Sequence, residues 1–257
     1  MPTRETAPSG APCWIDLSSS DTERARQFYA ELFDWTYEVS SAEYGEYINC
    51  FRNGSQVAGI MQNSPASGTA DGWITYFATA DAQATANLAD ESGGQSAVAP
   101  MEVGSMGTMA MLVDPGGATV GVWQAGQHSG FQLVGETGTP VWHELHTLHF
   151  RASVLFYETV FDWKTSSQGD TVEFRYSTAD FDGVSLAGIM EATNLLAEGS
   201  PASWQVYFGV DDVDQTLALA ESLGGTVIDG ADDSPYGRLA TLADPTGARF
   251  KIMAPAE

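Results

Sequence analysis

The chain has 257 residues, of which 34 are Asp or Glu and only 10 are Lys or Arg, giving a formal charge of −24 at pH 7. That balance excludes nucleic acid as a partner, because phosphate binding needs clustered Lys and Arg and none form a run here. No apolar stretch approaches the ~18 residues of a membrane helix, the N-terminal residues lack a signal-peptide pattern, and two cysteines cannot build a disulfide framework. The composition therefore reads as a cytoplasmic protein with two structural thiols, Cys13 and Cys50.

In chain order, residues 1–11 are polar and rich in Pro and Gly, which predicts a loose tail. A short strand follows at 13–17. Asp21 caps a helix whose apolar positions Ala25, Phe28, Tyr29, Leu32 and Phe33 share one face. Strands are predicted near 36–39, 44–52 and 56–62, with Asn53-Gly54 as a hairpin turn between the last two. The same order then recurs: a strand at 73–79, a helix capped by Asp81 and stopped at Gly93-Gly94, and strands near 95–103, 108–113 and 118–124. Asp114-Pro115-Gly116-Gly117 forms the last turn.

After a Gly-rich linker at 125–139, the chain repeats itself. Pro12-Cys13-Trp14-Ile15-Asp16-Leu17 returns as Pro140-Val141-Trp142-His143-Glu144-Leu145, and Phe28-Tyr29 returns as Phe156-Tyr157, at a constant offset of 128 residues. Gly59-Ile60-Met61 matches Gly188-Ile189-Met190, and Asp114-Pro115-Gly116-Gly117 matches Asp244-Pro245-Thr246-Gly247. A period this long is a domain duplication, since solenoid units run to roughly 20–50 residues. The expected division is a tail at 1–11, domains at 12–124 and 140–257, and the linker between them. Four βαβββ modules with mixed strands and helices make an α+β fold.

This ordered set of motifs resembles the vicinal oxygen chelate superfamily of glyoxalases, bleomycin-resistance proteins and dioxygenases, in particular the tandem glyoxalase-like, "hydroxylase"-labelled proteins of actinobacteria. The resemblance implies that each pair of modules curls into one cupped mixed sheet. It also implies metal-ligand positions on the cup strands, held here by Trp14, Ile74 and Gly121 in the first half and by Trp142, Gln205 and Lys251 in the second. A further ligand would come from 55–62 or 184–191, where Glu191 is the only carboxylate. Trp, Ile and Gly cannot coordinate and an ammonium repels a cation, so the expectation is no metal and no cofactor.

Side chains alternate along a strand, so Trp14 and Asp16 share a face, as do Trp142, Glu144 and His146. An indole beside a carboxylate suits a flat or cationic ligand. Met61, Met109, Met111, Trp123, Gln205, Tyr207, Tyr236 and Met253 are expected to face the cups as well. His143, Glu144, His146 and His149 cluster in sequence, yet alternation turns His143 away from Glu144 and His146. Glu144 and His146 are the better acid/base pair.

Two functions are carried forward. The leading one is metal-independent binding of a small aromatic or cationic organic molecule, for sequestration, resistance or metabolite handling, by Trp14, Asp16, Trp142, Glu144, His146, Gln205 and Tyr207. The alternative is a lyase, isomerase or hydroxylase-like enzyme using Glu144 with His146, or Asp16, as acid/base. The partner is a small-molecule ligand or substrate, with no nucleic acid and no membrane, and the protein a monomer or homodimer. The second half, which alone bears His146 and Gln205, is expected to carry the more discriminating site.

Overall fold

The computed structural model describes residues 5–41, 45–64, 68–171 and 174–255. In the first half, β1 (Pro12–Ser19), α1 (Thr22–Phe33), β2 (Thr36–Val39), β3 (Ile48–Arg52) and β4 (Ser55–Gln62) form one module. The next is β5 (Gly72–Ala78), α2 (Ala82–Glu91), β6 (Gln95–Val103), β7 (Gly107–Val113) and β8 (Thr119–Ala125). The second half repeats this as β9 (Pro140–Thr147), α3 (Phe150–Phe161), β10 (Lys164–Asp170), β11 (Arg175–Phe181) and β12 (Val184–Glu191), followed by β13 (Ser203–Gly209), α4 (Val213–Ser222), β14 (Thr226–Ser234), β15 (Gly237–Ala243) and β16 (Arg249–Ala254).

Each half closes one eight-stranded sheet, in the orders β2-β3-β4-β1-β5-β8-β7-β6 and β10-β11-β12-β9-β13-β16-β15-β14. The two orders are the same, so the chain is two like-folded α+β domains in tandem, as the repeat and the resemblance imply. Within each sheet the opening strands of the two modules are antiparallel neighbours, with Asp16 opposite Ile74 and Glu144 opposite Gln205. That pairing puts both modules' opening strands at the centre of the concave face. Among the described residues no helix is long and apolar enough to cross a membrane.

Local chemistry sets the elements. Asp21, Asp81 and Asp212 cap their helices by accepting from Arg24 N, Ala84 N and Gln215 N at 3.0, 2.9 and 2.9 Å. His149 stands at the same place before α3 and makes no side-chain cap bond. Both Asn53-Gly54 and Asp182-Gly183 turn with positive φ at both residues, the geometry of a tight hairpin. β3 begins at Ile48, later than the predicted strand at 44–52, because Gly45 and Glu46 turn in the left-handed region. Tyr44 lies outside the described residues.

The cores join the two halves. The convex face of each sheet meets a helix of the other half: one cluster unites Phe28, Tyr29 and Phe33 of α1 with Phe208 and Phe250, and the other unites Phe156, Tyr157 and Phe161 of α3 with Phe77. The repeated motifs close this interface. Tyr29 donates its hydroxyl to Asp244 Oδ2 at 3.1 Å and accepts from Trp73 Nε1 at 3.1 Å. In mirror fashion, Tyr157 donates to Asp114 Oδ2 at 3.2 Å and accepts from Trp204 Nε1 at 2.8 Å. The Phe-Tyr of each helix is thus read by the Asp-Pro-x-Gly turn of the other half.

The expected loose tail is fastened at its end. Gly10 N bonds Ala78 O, and Trp163 Nε1 donates to Gly10 O at 2.8 Å, just as Trp35 Nε1 donates to Gly138 O in the linker at 2.7 Å. Composition hides this, since the bonds are made by backbone to distant partners.

Candidate functional site

Alternation along β1 brings Trp14 and Asp16 to the concave face of the first sheet, as their spacing predicts. Asp16 is 5% exposed. Its Oδ1 accepts from Trp14 Nε1 at 3.0 Å and from the Tyr47 hydroxyl at 2.5 Å, and the Tyr76 hydroxyl bonds the same carboxylate. Burial pushes the Asp16 carboxyl above its ordinary value, and the bonds from Tyr47, Tyr76 and Trp14 recover only part of that shift. Burial, and then the Asp16 charge, hold both phenols well above their usual range, so they remain donors.

The second sheet repeats the constellation. Glu144, 7% exposed, accepts from the Tyr207 hydroxyl at 2.6 Å and bonds His146 Nε2 at 2.8 Å through Oε1; its Oε2 accepts from Tyr176 at 2.8 Å. Trp142 Nε1 donates to the Tyr176 hydroxyl at 3.0 Å. Burial raises the Glu144 carboxyl, but the bond and charge of His146 and the two tyrosines outweigh it and leave the group below its ordinary value. In each cup, therefore, a buried acid is bonded by two phenols, with an indole from its own strand bonded to one of them. The tyrosines Tyr47, Tyr76 and Tyr176 escape sequence reasoning because three different strands or strand ends supply the partners of each acid.

The repeated Gly-Ile-Met motif acquires its reason here. A Cβ on Gly59 would collide with the Tyr47 hydroxyl and the Asp16 carboxylate, and one on Gly188 with the Tyr176 hydroxyl. Glycine is what lets a phenol reach across the neighbouring strand to the acid.

The halves then diverge. The first cup contains a cavity of about 340 Å³ above Asp16, walled by Trp14, Tyr76, Met61, Met106, Met109 and Trp123, with Asn49, Gln56, Gln127 and His128 as its polar margin. His128 comes from the segment after β8; its ring meets Trp14 edge-on with centroids 4.4 Å apart. Burial holds this imidazole down to about 4, so it is neutral at physiological pH. In the second cup Lys251 replaces Gly121, and its Nζ lies over the Tyr207 ring at 5.3 Å. Gln205 turns its amide to Ser203 Oγ at 2.9 Å. The cavity of about 340 Å³ lies in the first half, and the second half, expected to be the more discriminating, alone carries the Glu144–His146 bond.

Other expectations fall out of the geometry. Met61, Met109 and Trp123 line the first cavity, Met111 packs against the core, Tyr236 is 62% exposed, and Met253 borders a different groove. His143 faces away from Glu144, with Nδ1 3.2 Å from Thr75 Oγ1 between the halves, and His149 is exposed before α3. Glu191 is engaged by Arg175 at 2.6 Å. Among the described residues no three His, Cys, Asp or Glu converge as a metal-binding group. The donors present do not fit a divalent ion: one cup offers a single carboxylate tied to phenols, the other a carboxylate tied to an imidazole beside an ammonium.

Comparison with known proteins accords with this architecture. Residues 13–122 match the glyoxalase/bleomycin resistance protein/dioxygenase superfamily, and residues 126–253 match the glyoxalase-like domain family. The chain is 38% identical over 261 residues to the Mycobacterium tuberculosis protein named "Putative glyoxylase CFP32", covering 100% of this chain and 99% of that protein. The chain belongs to the glyoxalase/bleomycin resistance protein/dioxygenase superfamily. It is also 32% identical over 263 residues to the anthracycline biosynthesis protein DnrV of Streptomyces peucetius, covering 95% of this chain and 93% of that one. Among solved structures, the Mn(II)-bound glyoxalase of Novosphingobium aromaticivorans aligns with a TM-score of 0.66 at 15% identity over 97% of this chain and 83% of that one. The 2,3-dioxygenase LapB of Pseudomonas sp. KL28 aligns at 0.65 and 12% identity over 98% and 94%. At such identity these two likenesses concern the fold alone.

Proposed function

We propose that the first cup binds a small, flat, at least partly aromatic organic molecule, cationic forms included, without a metal ion. The observation that carries this reading is the cavity of about 340 Å³ with Trp14, Tyr76, Trp123 and three methionines around a buried carboxylate. That volume lies in the range of small-molecule sites, roughly 300–1,000 Å³. Indole and phenol faces stack on flat rings, and methionine adapts to irregular edges. Asp16 supplies acceptor capacity and charge, and neutral His128 supplies a polar contact at the rim. The name of the relative DnrV supports the class, since anthracyclines are built on planar fused rings.

The test is a fluorescence titration with 1,4-dihydroxyanthraquinone and with a cationic aminoanthraquinone, read through Trp14 and Trp123. Saturable quenching is expected, and filling the cavity with Met109→Trp should abolish it. Absence of saturation, or quenching indifferent to Met109→Trp, would overturn the proposal. A second reading, acid/base catalysis of the lyase, isomerase or hydroxylase-like kind, is favoured by the 2.8 Å bond between Glu144 and His146.

A further inference from the structure

The chain contains two lysines, Lys164 and Lys251, and their settings are opposite. The Lys164 side chain is 74% exposed and its Nζ pairs with Asp162 at 2.6 Å. Lys251 is 9% exposed, and among the described residues no hydrogen bond or ion pair holds its Nζ. The amine rests over the Tyr207 ring instead, 5.3 Å from its centroid.

Register places this amine beside an acid and an imidazole. Lys251 on β16 is the parallel partner of Tyr207 on β13, and Tyr207 is the antiparallel partner of Trp142 on β9. The Tyr207 hydroxyl then reaches Glu144, which bonds His146. All four groups share the concave face. Burial shifts the amine toward its neutral form, and the charges of Glu144 and Asp229 counter only part of this. The fold does not require a lysine here, because Gly121 occupies the same place in the first sheet, as the parallel partner of Tyr76. Nor does the site suit an anion, with Glu144 and Asp229 both near enough to act on the amine.

We propose that the second cup is a carbonyl-capture site, in which Lys251 Nζ forms a reversible imine with a small aldehyde and the Glu144–His146 pair moves the protons. The Nζ lone pair bonds to the carbonyl carbon while the C=O π pair moves onto oxygen, and one proton passes from nitrogen to that oxygen. The resulting carbinolamine hydroxyl takes a proton from the Glu144–His146 pair and leaves as water as the nitrogen lone pair closes the C=N bond, and the protonated imine nitrogen then returns its proton to the same pair. One water is released, and no electron donor or acceptor is consumed. An aldehyde is favoured over a ketone because Lys251 is 9% exposed and one side of its amine is covered by the Tyr207 ring. This site is independent of the ligand reading for the first cup.

The experiment uses the full chain, benzaldehyde and sodium cyanoborohydride, which reduces the imine to a stable secondary amine. Peptide mass spectrometry then compares benzylation of Lys251 with that of exposed Lys164 in the same molecule. Labelling at Lys251 is expected to lead by about tenfold or more, as for other desolvated amine nucleophiles. Lys164→Arg should leave that labelling in place, and Glu144→Gln should slow it by about tenfold, the low end of a general acid/base contribution, while circular dichroism reports an intact fold. Equal labelling of the two lysines, faster labelling of Lys164, or a Glu144→Gln protein that folds and labels at the wild-type rate would overturn the proposal.

Discussion

Tyr29→Phe removes one oxygen at the junction of the halves and leaves two partners stranded. Trp73 Nε1 loses the acceptor at 3.1 Å, and Asp244 Oδ2 loses a donor at 3.1 Å, in a place where Tyr29 is wholly buried. The bonds from Thr246 N and Oγ1 and from Ala248 N all fall on Oδ1, so they do not compensate Oδ2. A stranded buried donor costs about 1–3 kcal/mol, and a lost bond to a charged group has a similar magnitude, so about 2–6 kcal/mol in total is expected. For a chain of this size each kcal/mol lowers Tm by about 2–4 °C. Urea unfolding followed by far-ultraviolet circular dichroism, on Tyr29→Phe, Asp244→Asn and the double variant, isolates the contact between halves. A coupling energy of about 1–2 kcal/mol is expected for groups in one hydrogen-bonded network. Additivity within about 0.5 kcal/mol would refute the reasoning, as would a Tyr157→Phe protein that keeps wild-type stability, since Tyr157 bridges Trp204 and Asp114 in the same way.

Gly121→Ala should force the Tyr76 ring, which a Cβ would strike, out of place; a loss of about 1–3 kcal/mol by urea unfolding is expected, as for other overpacked sites. Asp16 has a native carboxyl raised above its ordinary 3.8 by burial, so the folded chain keeps a proton that the unfolded chain has released. The Asp16 contribution to stability is therefore greatest below that value and falls as pH rises through the raised one. The difference in urea midpoint between wild type and Asp16→Asn should shift against wild type along that rise, and an opposite slope would refute the burial argument. Glu144 has the reverse sign: its carboxyl is held below its ordinary 4.5, so its contribution is present above that value and lost as pH falls through the lowered one, which Glu144→Gln should remove. Elemental analysis of protein purified from its native host should find less than stoichiometric zinc, iron, nickel or manganese, and one bound ion per chain would contradict the reading of the donor set.

The duplication, the helix caps and the hairpin turns were legible in the linear chain because each depends on neighbours in sequence. Asp21, Asp81 and Asp212 cap helices through bonds to residues three positions ahead, and Asn53-Gly54 needs only its own φ angles. Alternation alone was enough to put Trp14 with Asp16, and Glu144 with His146 while turning His143 away. What tertiary structure decided were the contacts whose partners lie far apart in the chain. Tyr47, just before β3, and Tyr76 of β5 converge on Asp16, and His128 reaches the same cavity from the segment after β8. The Phe-Tyr and Asp-Pro-x-Gly motifs were visible as repeats, but that each serves the opposite half, Tyr29 with Asp244 and Tyr157 with Asp114, follows only from the packing of two sheets against each other's helices. Placement is likewise a tertiary property: Gly121 and Lys251 were readable as residues, and only the pairing of the strands determined that one lies under the Tyr76 ring and the other sets an amine against Tyr207.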